Sequence, residues 1–273
     1  MSSLPHPFDL TGRCALVFGG GRGIGRGIAL ALARAGADVL VSARTREEVE
    51  AVAGDVRALG RQGLAEPADA TRPEEVERVV SRALAEWEKV DILVVSTGVN
   101  LRKPIVPLPG YRPGWAERVP NFDAPTTDEE WRTMVDSHLT AVFLATRAVG
   151  PHMLARRQGK VILVTSMTAF RTYPCQVIYG ALKSAVAHYA RGLALEWARY
   201  NIQVNALAPG YVETRMTSLF FEDPAIREKV LRSIPLGRTV TPEEVGWLAV
   251  YLASPASDMM TGQVLVLDGG VSL

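Results

Sequence analysis

Cysteine and net charge are both scarce in this sequence, and each shortage excludes a class of protein. Two cysteines occur among 273 residues, Cys14 in a predicted strand and Cys175 in a distant loop. So sparse a set excludes a disulfide framework and predicts reduced thiols and no metal site. The formal net charge of +1 lacks the basic excess of proteins that bind nucleic acid or anionic membranes. We therefore expect neither as a partner.

Long apolar runs are also missing. No stretch approaches the ~20 apolar residues that are needed to span a bilayer. The stretch Met1–Leu10 lacks the basic region followed by an apolar run that marks a signal peptide. From these two absences the sequence predicts a cytoplasmic protein.

Strand-like and helix-like segments alternate along the chain. Its length and its 48% hydrophobic content suit one large α/β domain with a sizeable core. Repeated βα units predict a parallel, doubly wound sheet with helices on both faces. The predicted strands are 13–18, 37–42, 63–66, 91–95, 160–165, 202–207 and 264–267. The predicted helices are 24–35, 46–59, 73–87, 127–156, 176–197, 225–232 and 242–252.

One segment, 101–125, interrupts this alternation. It contains six prolines together with Tyr111, Trp115 and Phe122. The segment is too long for an ordinary βα connection, and it leaves the carboxyl end of a strand, where ligands bind in open α/β sheets. Two interpretations stay open: a surface insertion or subunit contact, and a cover over the substrate.

A glycine-rich turn, Gly19–Gly25, lies between the first predicted strand and the first predicted helix. Gly19, Gly23 and Gly25 follow the spacing G-x-x-x-G-x-G, which differs from the strict dinucleotide fingerprint G-x-G-x-x-G. Glycines permit a tight turn and the close approach of a diphosphate to the amino end of a helix. The position of the turn favours a nucleotide site over a simple turn.

Tyr179 and Lys183 are four residues apart in a predicted helix, so both stand on the same helix face. A nearby ammonium lowers the pKa of a phenol and makes it usable as a general acid or base. Because such pairs are also common on solvated helix faces, the pair indicates a catalytic site only if other motifs surround it.

Several ordered motifs supply that context, and with them the chain resembles the short-chain dehydrogenase/reductase family over nearly its whole length. The matching motifs are Gly19–Gly25, Asp69, Ser166, Tyr179-x-x-x-Lys183, Asn205, Pro209-Gly210 with Thr214, Thr261-Gly262-Gln263 and Asp268-Gly269-Gly270. The resemblance implies a single Rossmann domain over 1–273, with a seven-stranded sheet of order 3-2-1-4-5-6-7. It also implies a homotetramer or homodimer that acts on alcohols or carbonyls.

The resemblance implies roles for individual residues. Ser166 would orient and polarise the substrate oxygen, Tyr179 would transfer the proton, and Lys183 would bond the nicotinamide ribose and lower the Tyr179 pKa. The positions implied in cofactor binding are Gly19, Gly21, Arg22, Gly23, Ile24, Gly25, Arg44, Asp69, Gly98, Tyr179, Lys183, Pro209, Gly210, Val212 and Thr214.

Three of these assignments have simple structural alternatives. Asp69 would contact adenine, but an Asp here also caps turns. The Val212 backbone and the Thr214 hydroxyl would hold the nicotinamide carboxamide, but Pro209-Gly210 is also an ordinary turn sequence.

Charge at the end of the second strand indicates the cofactor. An acid at this place would bond the 2′-hydroxyl of NAD, whereas this chain has Ser42-Ala43-Arg44. Arg44, with Arg22 in the glycine turn, suits the 2′-phosphate of NADP. The sequence predicts NADP(H), with NAD(H) as the alternative if both arginines are merely solvated.

Three positions depart from the family pattern. Phe18 replaces the usual Thr before the first glycine, and Val95-Ser96-Thr97-Gly98 replaces Asn-Asn-Ala-Gly. His138 stands where the family has a catalytic Asn that supports a water next to the lysine. A neutral imidazole offers one donor and one acceptor, and His can shuttle protons. We expect an altered but working relay; the alternative is a residue without a relay role.

Substrate contacts are expected from the segments 97–100, 167–176 and 214–235. The last would form a mobile lid carrying Leu219-Phe220-Phe221, and Arg171 would meet either a carboxylate or solvent. Sugar or polyol derivatives, 3-oxoacyl thioesters and other ketones all stay open as substrates.

Two functions remain. The first is an NADP(H)-dependent alcohol dehydrogenase or carbonyl reductase with Tyr179 as general acid/base. The second is a nucleotide-binding regulator or scaffold protein that has lost turnover through His138.

Overall fold

A seven-stranded parallel sheet forms the centre of the computed structural model, which describes residues 6–273 apart from the side chains of Leu219 and Phe220. Part of the stretch Met1–Leu10 thus lies outside the described residues. The strands are β1 (Cys14–Phe18), β2 (Asp38–Ser42), β3 (Gly63–Ala65), β4 (Ile92–Val95), β5 (Gly159–Val164), β6 (Ile202–Pro209) and β7 (Val264–Leu267). Their order, β3-β2-β1-β4-β5-β6-β7, confirms the predicted fold class.

Each strand is short and apolar because helices cover both faces of the sheet. The residues of β1 and β4 are buried without exception. Alternate residues serve different cores: Val17 packs with Ile28 and Val245 on one face, and Leu16 packs with Val79 and Leu144 on the other.

Six of the seven predicted helices lie within one or two residues of their predicted bounds, and the short helix Ser218–Phe221 was not predicted. They are α1 (Gly23–Arg34), α2 (Arg46–Ala58), α3 (Pro73–Trp87), α4 (Asp128–Val135), α5 (Ala141–Arg156), α6 (Val177–Trp197), α7 (Ser218–Phe221), α8 (Pro224–Arg232) and α9 (Pro242–Ala253). Within residues 6–273, no helix has the length and apolar character needed to cross a membrane.

The predicted continuous helix over 127–156 was wrong in one respect. A π-helical turn, Asp136–Thr140, separates α4 from α5. The start is as predicted, since Thr127 and Glu130 form a reciprocal capping box. The wider turn carries an extra residue, as π-bulges at functional sites commonly do. It lets His138 face the protein interior, where it is 1% exposed.

Helices α1 and α9 pack closely because glycine lies at their contact. A Cβ on Gly27 would overlap the carbonyl oxygen of Pro242, and a Cβ on Gly246 would lie 2.7 Å from the Gly27 oxygen. This approach holds α1, and the glycine turn before it, against the sheet.

The close packing of α1 against α9 predicts opposite changes in the free energy of unfolding for two Gly→Ala substitutions in helices. Gly27→Ala forces α1 and α9 apart and should lower the free energy of unfolding by about 1–3 kcal/mol. Gly54→Ala in α2 is the control, since its Cβ would lie 3.8 Å from the nearest atom, of Arg57. That change should raise stability by about 0.4–1 kcal/mol. Denaturant titration measures both, and equal effects would contradict the proposed packing.

Candidate active site

The carboxyl end of β5 and the first turns of α6 bring Ser166, Tyr179 and Lys183 together. Ser166 forms a side-chain hydrogen bond with Tyr179. The Lys183 ammonium donates to the carbonyl oxygen of Val164 at 3.0 Å and lies 5.8 Å from the centre of the Tyr179 ring. The helix is tied to the strand again by Thr165, whose hydroxyl donates to the Lys183 carbonyl at 2.6 Å.

Burial governs the charge state of this group. It raises the pKa of Tyr179 above its ordinary value, while the hydrogen bond from Ser166 and the positive charge of Arg102 oppose the rise. Burial lowers the pKa of Lys183 to about 8. The sequence predicts Lys183 as a cation that lowers the Tyr179 pKa; in the structure the charge of Arg102 also acts in this direction.

Arg102 is the functional candidate that sequence reasoning missed. Burial lowers its pKa to about 10, and the side chains that act on its charge are Tyr211, Tyr179, Cys175 and Tyr173. Its guanidinium lies 5.5 Å from the centre of the Trp115 ring. The only signal in the sequence was its position shortly after β4, inside a segment without periodicity.

Arg171, the cation that the sequence proposed for this pocket, is engaged elsewhere. Its exposed guanidinium donates to the carbonyl oxygen of Val271 and lies 5.6 Å from the Tyr173 ring. Tyr173 in turn packs against Tyr211 with ring centres 6.5 Å apart. Arg171 therefore contributes to the wall of the pocket, and its guanidinium is held by the carboxyl-terminal segment.

His138 packs directly against the catalytic group. Its ring is perpendicular to that of Tyr179, at 5.4 Å between centres. Its Nε2 lies 2.7 Å from the Val99 carbonyl oxygen, so this nitrogen carries the hydrogen and Nδ1 is the acceptor. Among the described residues, buried Nδ1 has no hydrogen-bond partner. A Cβ on Gly98 would overlap the imidazole, so the small residue of the altered β4 motif makes room for it.

The imidazole of His138 stays neutral at physiological pH. Burial, reinforced by the charge of Lys183, lowers its pKa to about 3. A ring with this pKa and one fixed hydrogen acts as a hydrogen-bond acceptor through Nδ1 and does not cycle through its cation near pH 7. This favours the altered relay over a histidine without a relay role, with a hydrogen-bond acceptor in place of a proton-carrying histidine.

The glycine turn between β1 and α1 forms a cradle for a diphosphate. A Cβ on Gly25 would overlap the Gly19 carbonyl oxygen, so only glycine permits the turn. No side chain caps the amino end of α1, whose first amides are available to an anion. Thr214 lies against Gly23, at 3.3 Å from a Cβ placed there. The cradle and the Pro209–Thr214 loop thus face each other, as a dinucleotide requires.

The adenosine side of the cradle differs from expectation at one residue. Arg22 pairs with Glu48 at 3.1 Å, so a phosphate would compete with that carboxylate for its guanidinium. Arg44 is exposed and its charge acts on Asp69. Burial alone would raise the Asp69 pKa, but hydrogen bonds from Thr71 and the charge of Arg44 hold it below its ordinary value. Asp69 accepts from the Thr71 amide and hydroxyl and therefore also caps a turn.

The nicotinamide side is built from the end of β6. Gly210 packs against Asp268, leaving no room for a Cβ. Val212 bridges to Val240, and the Thr214 amide donates to the Thr217 hydroxyl at 2.9 Å. Asn205 has a structural task, since its side chain donates to Met260 and accepts from the Gln263 amide. Buried Thr97 Oγ1 and Asn100 Oδ1 make no hydrogen bond to the described residues, which suits a polar ligand.

The depressed pKa of His138 predicts a pH-dependent stability. The unfolded chain binds a proton near pH 6.5 and the folded protein only near pH 3, so stability falls as pH drops between these values. From pH 7.5 to pH 5 this residue should remove about 2 kcal/mol from the free energy of unfolding.

His138→Asn should abolish that part of the decline, which denaturant titration at the two pH values measures. His152→Asn, at an exposed histidine of α5, is the matched control and should leave the decline intact. An unaltered pH dependence in His138→Asn would contradict the neutral state assigned to the imidazole.

Comparison with known proteins agrees with this geometry. A family model described as Enoyl-(Acyl carrier protein) reductase matches residues 19–272. The 2-dehydro-3-deoxy-D-gluconate 5-dehydrogenase of Bacillus subtilis (strain 168) is 36% identical over 99% of this chain and 98% of its own.

Two crystal structures superpose on nearly the whole fold. A gluconate 5-dehydrogenase from Burkholderia cenocepacia J2315, in complex with NADP and tartrate, is 33% identical with a TM-score of 0.85, covering 97% of both chains. A short-chain type dehydrogenase/reductase from Mycobacterium marinum is 32% identical with a TM-score of 0.83, also covering 97% of both. The chain belongs to the short-chain dehydrogenase/reductase family and is a nicotinamide-dependent oxidoreductase.

Proposed function

We propose that this enzyme uses NADP(H) to interconvert a secondary hydroxyl and a ketone on a sugar acid, as gluconate 5-dehydrogenases do. The single observation that carries the proposal is the half-buried guanidinium of Arg102, which lies 5.5 Å from the Trp115 ring centre and whose charge acts on Tyr179. A half-buried arginine near phenols and one thiol suits an anionic group of the substrate, and guanidinium binds carboxylate bidentately. The relatives named for gluconate derivatives support the same substrate class.

The residues divide the work as follows. Ser166 donates to the reacting oxygen of the substrate, and Tyr179 delivers or removes the proton at that oxygen. Arg102 lowers the cost of a Tyr179 phenolate in a buried site. Lys183 and Tyr179 would hold the nicotinamide ribose, and the glycine turn would hold the diphosphate. The cofactor, when bound, supplies or accepts the hydride.

His138 takes the place of the family asparagine as a fixed acceptor. Its Nδ1 would hold a water beside Lys183, and the π-helical turn frees main-chain carbonyls for the same purpose. The close arrangement of Ser166, Tyr179 and Lys183 supports an enzyme over a regulator without turnover. His138→Asn keeps an acceptor and should keep the pH profile of kcat, whereas an unchanged profile in His138→Leu, which has no acceptor, would contradict the acceptor role.

Two sequence expectations stay predictions: the cytoplasmic location and the assembly into a homotetramer or homodimer. Segment 214–235, which contains α7 and α8, is retained as the proposed lid. The insertion 101–125 is retained as a separate functional segment of the single domain.

Arg44 is proposed to select NADP(H) over NAD(H). Arg44→Ala removes a charged contact to the 2′-phosphate and should raise KM for NADPH by about 10–100-fold, with KM for NADH unchanged. Arg46→Ala is the control, because Arg46 is exposed and paired with Glu50 at 3.3 Å. A wild-type preference for NADH, or equal losses with both cofactors, would overturn this assignment.

The substrate class is tested with D-gluconate and its neutral analogue D-gluconamide, following NADPH formation. Arg102→Met should raise KM for D-gluconate by about 10–100-fold and change KM for D-gluconamide by less than about twofold. Arg171→Met is the matched control and should affect both substrates alike. Tyr179→Phe should remove turnover. The proposal fails if the wild-type enzyme does not prefer the carboxylate.

A further inference from the structure

We propose that Trp115 is a positioning residue that holds the Arg102 guanidinium in its carboxylate-binding orientation. The inference rests on the proposed function and extends it to the insertion 101–125. Trp115 lies in a single turn of 3-10 helix, Gly114–Arg118, with its ring centre 5.5 Å from the Arg102 guanidinium carbon. An indole face attracts a guanidinium most strongly when water is kept away from the pair.

Trp115 is itself held in place by a small core within the insertion. Phe122 packs edge-on against it, with ring centres 5.5 Å apart and planes at 88°. Phe122 and Ala116 are buried together with Cys175, and Val119 packs against them. A ring fixed on its edge by a second ring presents a stable face to a cation.

Cys175 connects this core to the catalytic group. It belongs to the substrate-contacting segment 167–176 and stands shortly before Tyr179 in the chain. Its backbone has φ 61°, a conformation that non-glycine residues adopt only when their surroundings hold them there. The insertion therefore packs onto the wall of the active site, which favours the substrate cover among the two interpretations of 101–125.

The backbone at Arg102 is fixed from the opposite side by its neighbour. The Lys103 side chain is buried and pairs with Glu130 at 3.1 Å. Glu130 also closes the capping box at the start of α4. Lys103 thus anchors the main chain to α4, while Trp115 determines where the long, flexible Arg102 side chain points.

The same 3-10 turn contacts the proposed lid. Arg118 lies 4.0 Å from Glu222 and 3.9 Å from Asp223, at the junction of α7 and α8. The 3-10 turn that carries Trp115 accordingly contacts both Arg102 and the segment that would close over the carboxylate. Since the ring of Trp115 contacts Phe122 and Arg102, it should affect substrate affinity and leave the chemical step alone.

Three variants test the inference with D-gluconate and D-gluconamide. Trp115→Leu should raise KM for D-gluconate by about 5–10-fold, with kcat within about twofold and D-gluconamide unaffected. Trp115→Phe keeps an aromatic face and should restore most of the affinity. Trp131→Leu, at a half-exposed tryptophan of α4, is the control and should behave as wild type.

A double-mutant cycle separates positioning from a general structural effect. In the Arg102→Met background, Trp115→Leu should change KM for D-gluconate no further, because the guanidinium is already absent. Equal KM increases for both substrates, or an additive loss in the double variant, would overturn the inference. If Trp115→Leu does not fold, Trp115→Phe and Trp115→Tyr test the inference instead. Both keep an aromatic face and should keep most of the affinity for D-gluconate, and a loss of that affinity in both would overturn the inference.

The outcomes distinguish this inference from the function on which it rests. A wild-type enzyme without preference for D-gluconate over D-gluconamide refutes the proposed function. A wild-type preference that survives in folded Trp115→Leu refutes the role of Trp115 alone.

Discussion

The common direction of the seven strands is the constraint on which the rest of this structure depends. Because all strands are parallel, β1, β4, β5 and β6 end at the same edge of the sheet. The glycine turn, Gly98, Ser166 and the Pro209–Thr214 loop follow these strands and therefore meet there. The parallel sheet therefore brings residues that are far apart in the chain into one site.

Burial at that edge decides which groups carry charge. Desolvation keeps Tyr179 and His138 neutral. It also lowers the pKa of Lys183 to about 8. Arg102 keeps its charge because its pKa, although lowered, is still about 10. The result is a neutral acid beside a permanent cation. This combination suits proton transfer to a substrate that is itself an anion.

Local irregularities in the fold coincide with the residues that adapt the site. The π-helical turn turns His138 inward, and Gly98 leaves room for its ring. The insertion 101–125 has a small core of its own and reaches the active-site wall through Cys175. The regular elements thus position Ser166, Tyr179 and Lys183, whereas the irregular segments place His138 and Arg102.

The sequence by itself determined most of the elements and their parallel arrangement, because these follow from local periodicity and repeated βα units. The strand order and the roles in the catalytic motif came from the family resemblance. The sequence did not reveal Arg102, since an aperiodic proline-rich segment gives no hint of where its side chains point. It also did not reveal that Arg22 pairs with Glu48, or that His138 is a neutral acceptor. Those features depend on burial and on neighbours brought in from other elements, which only the tertiary structure decides.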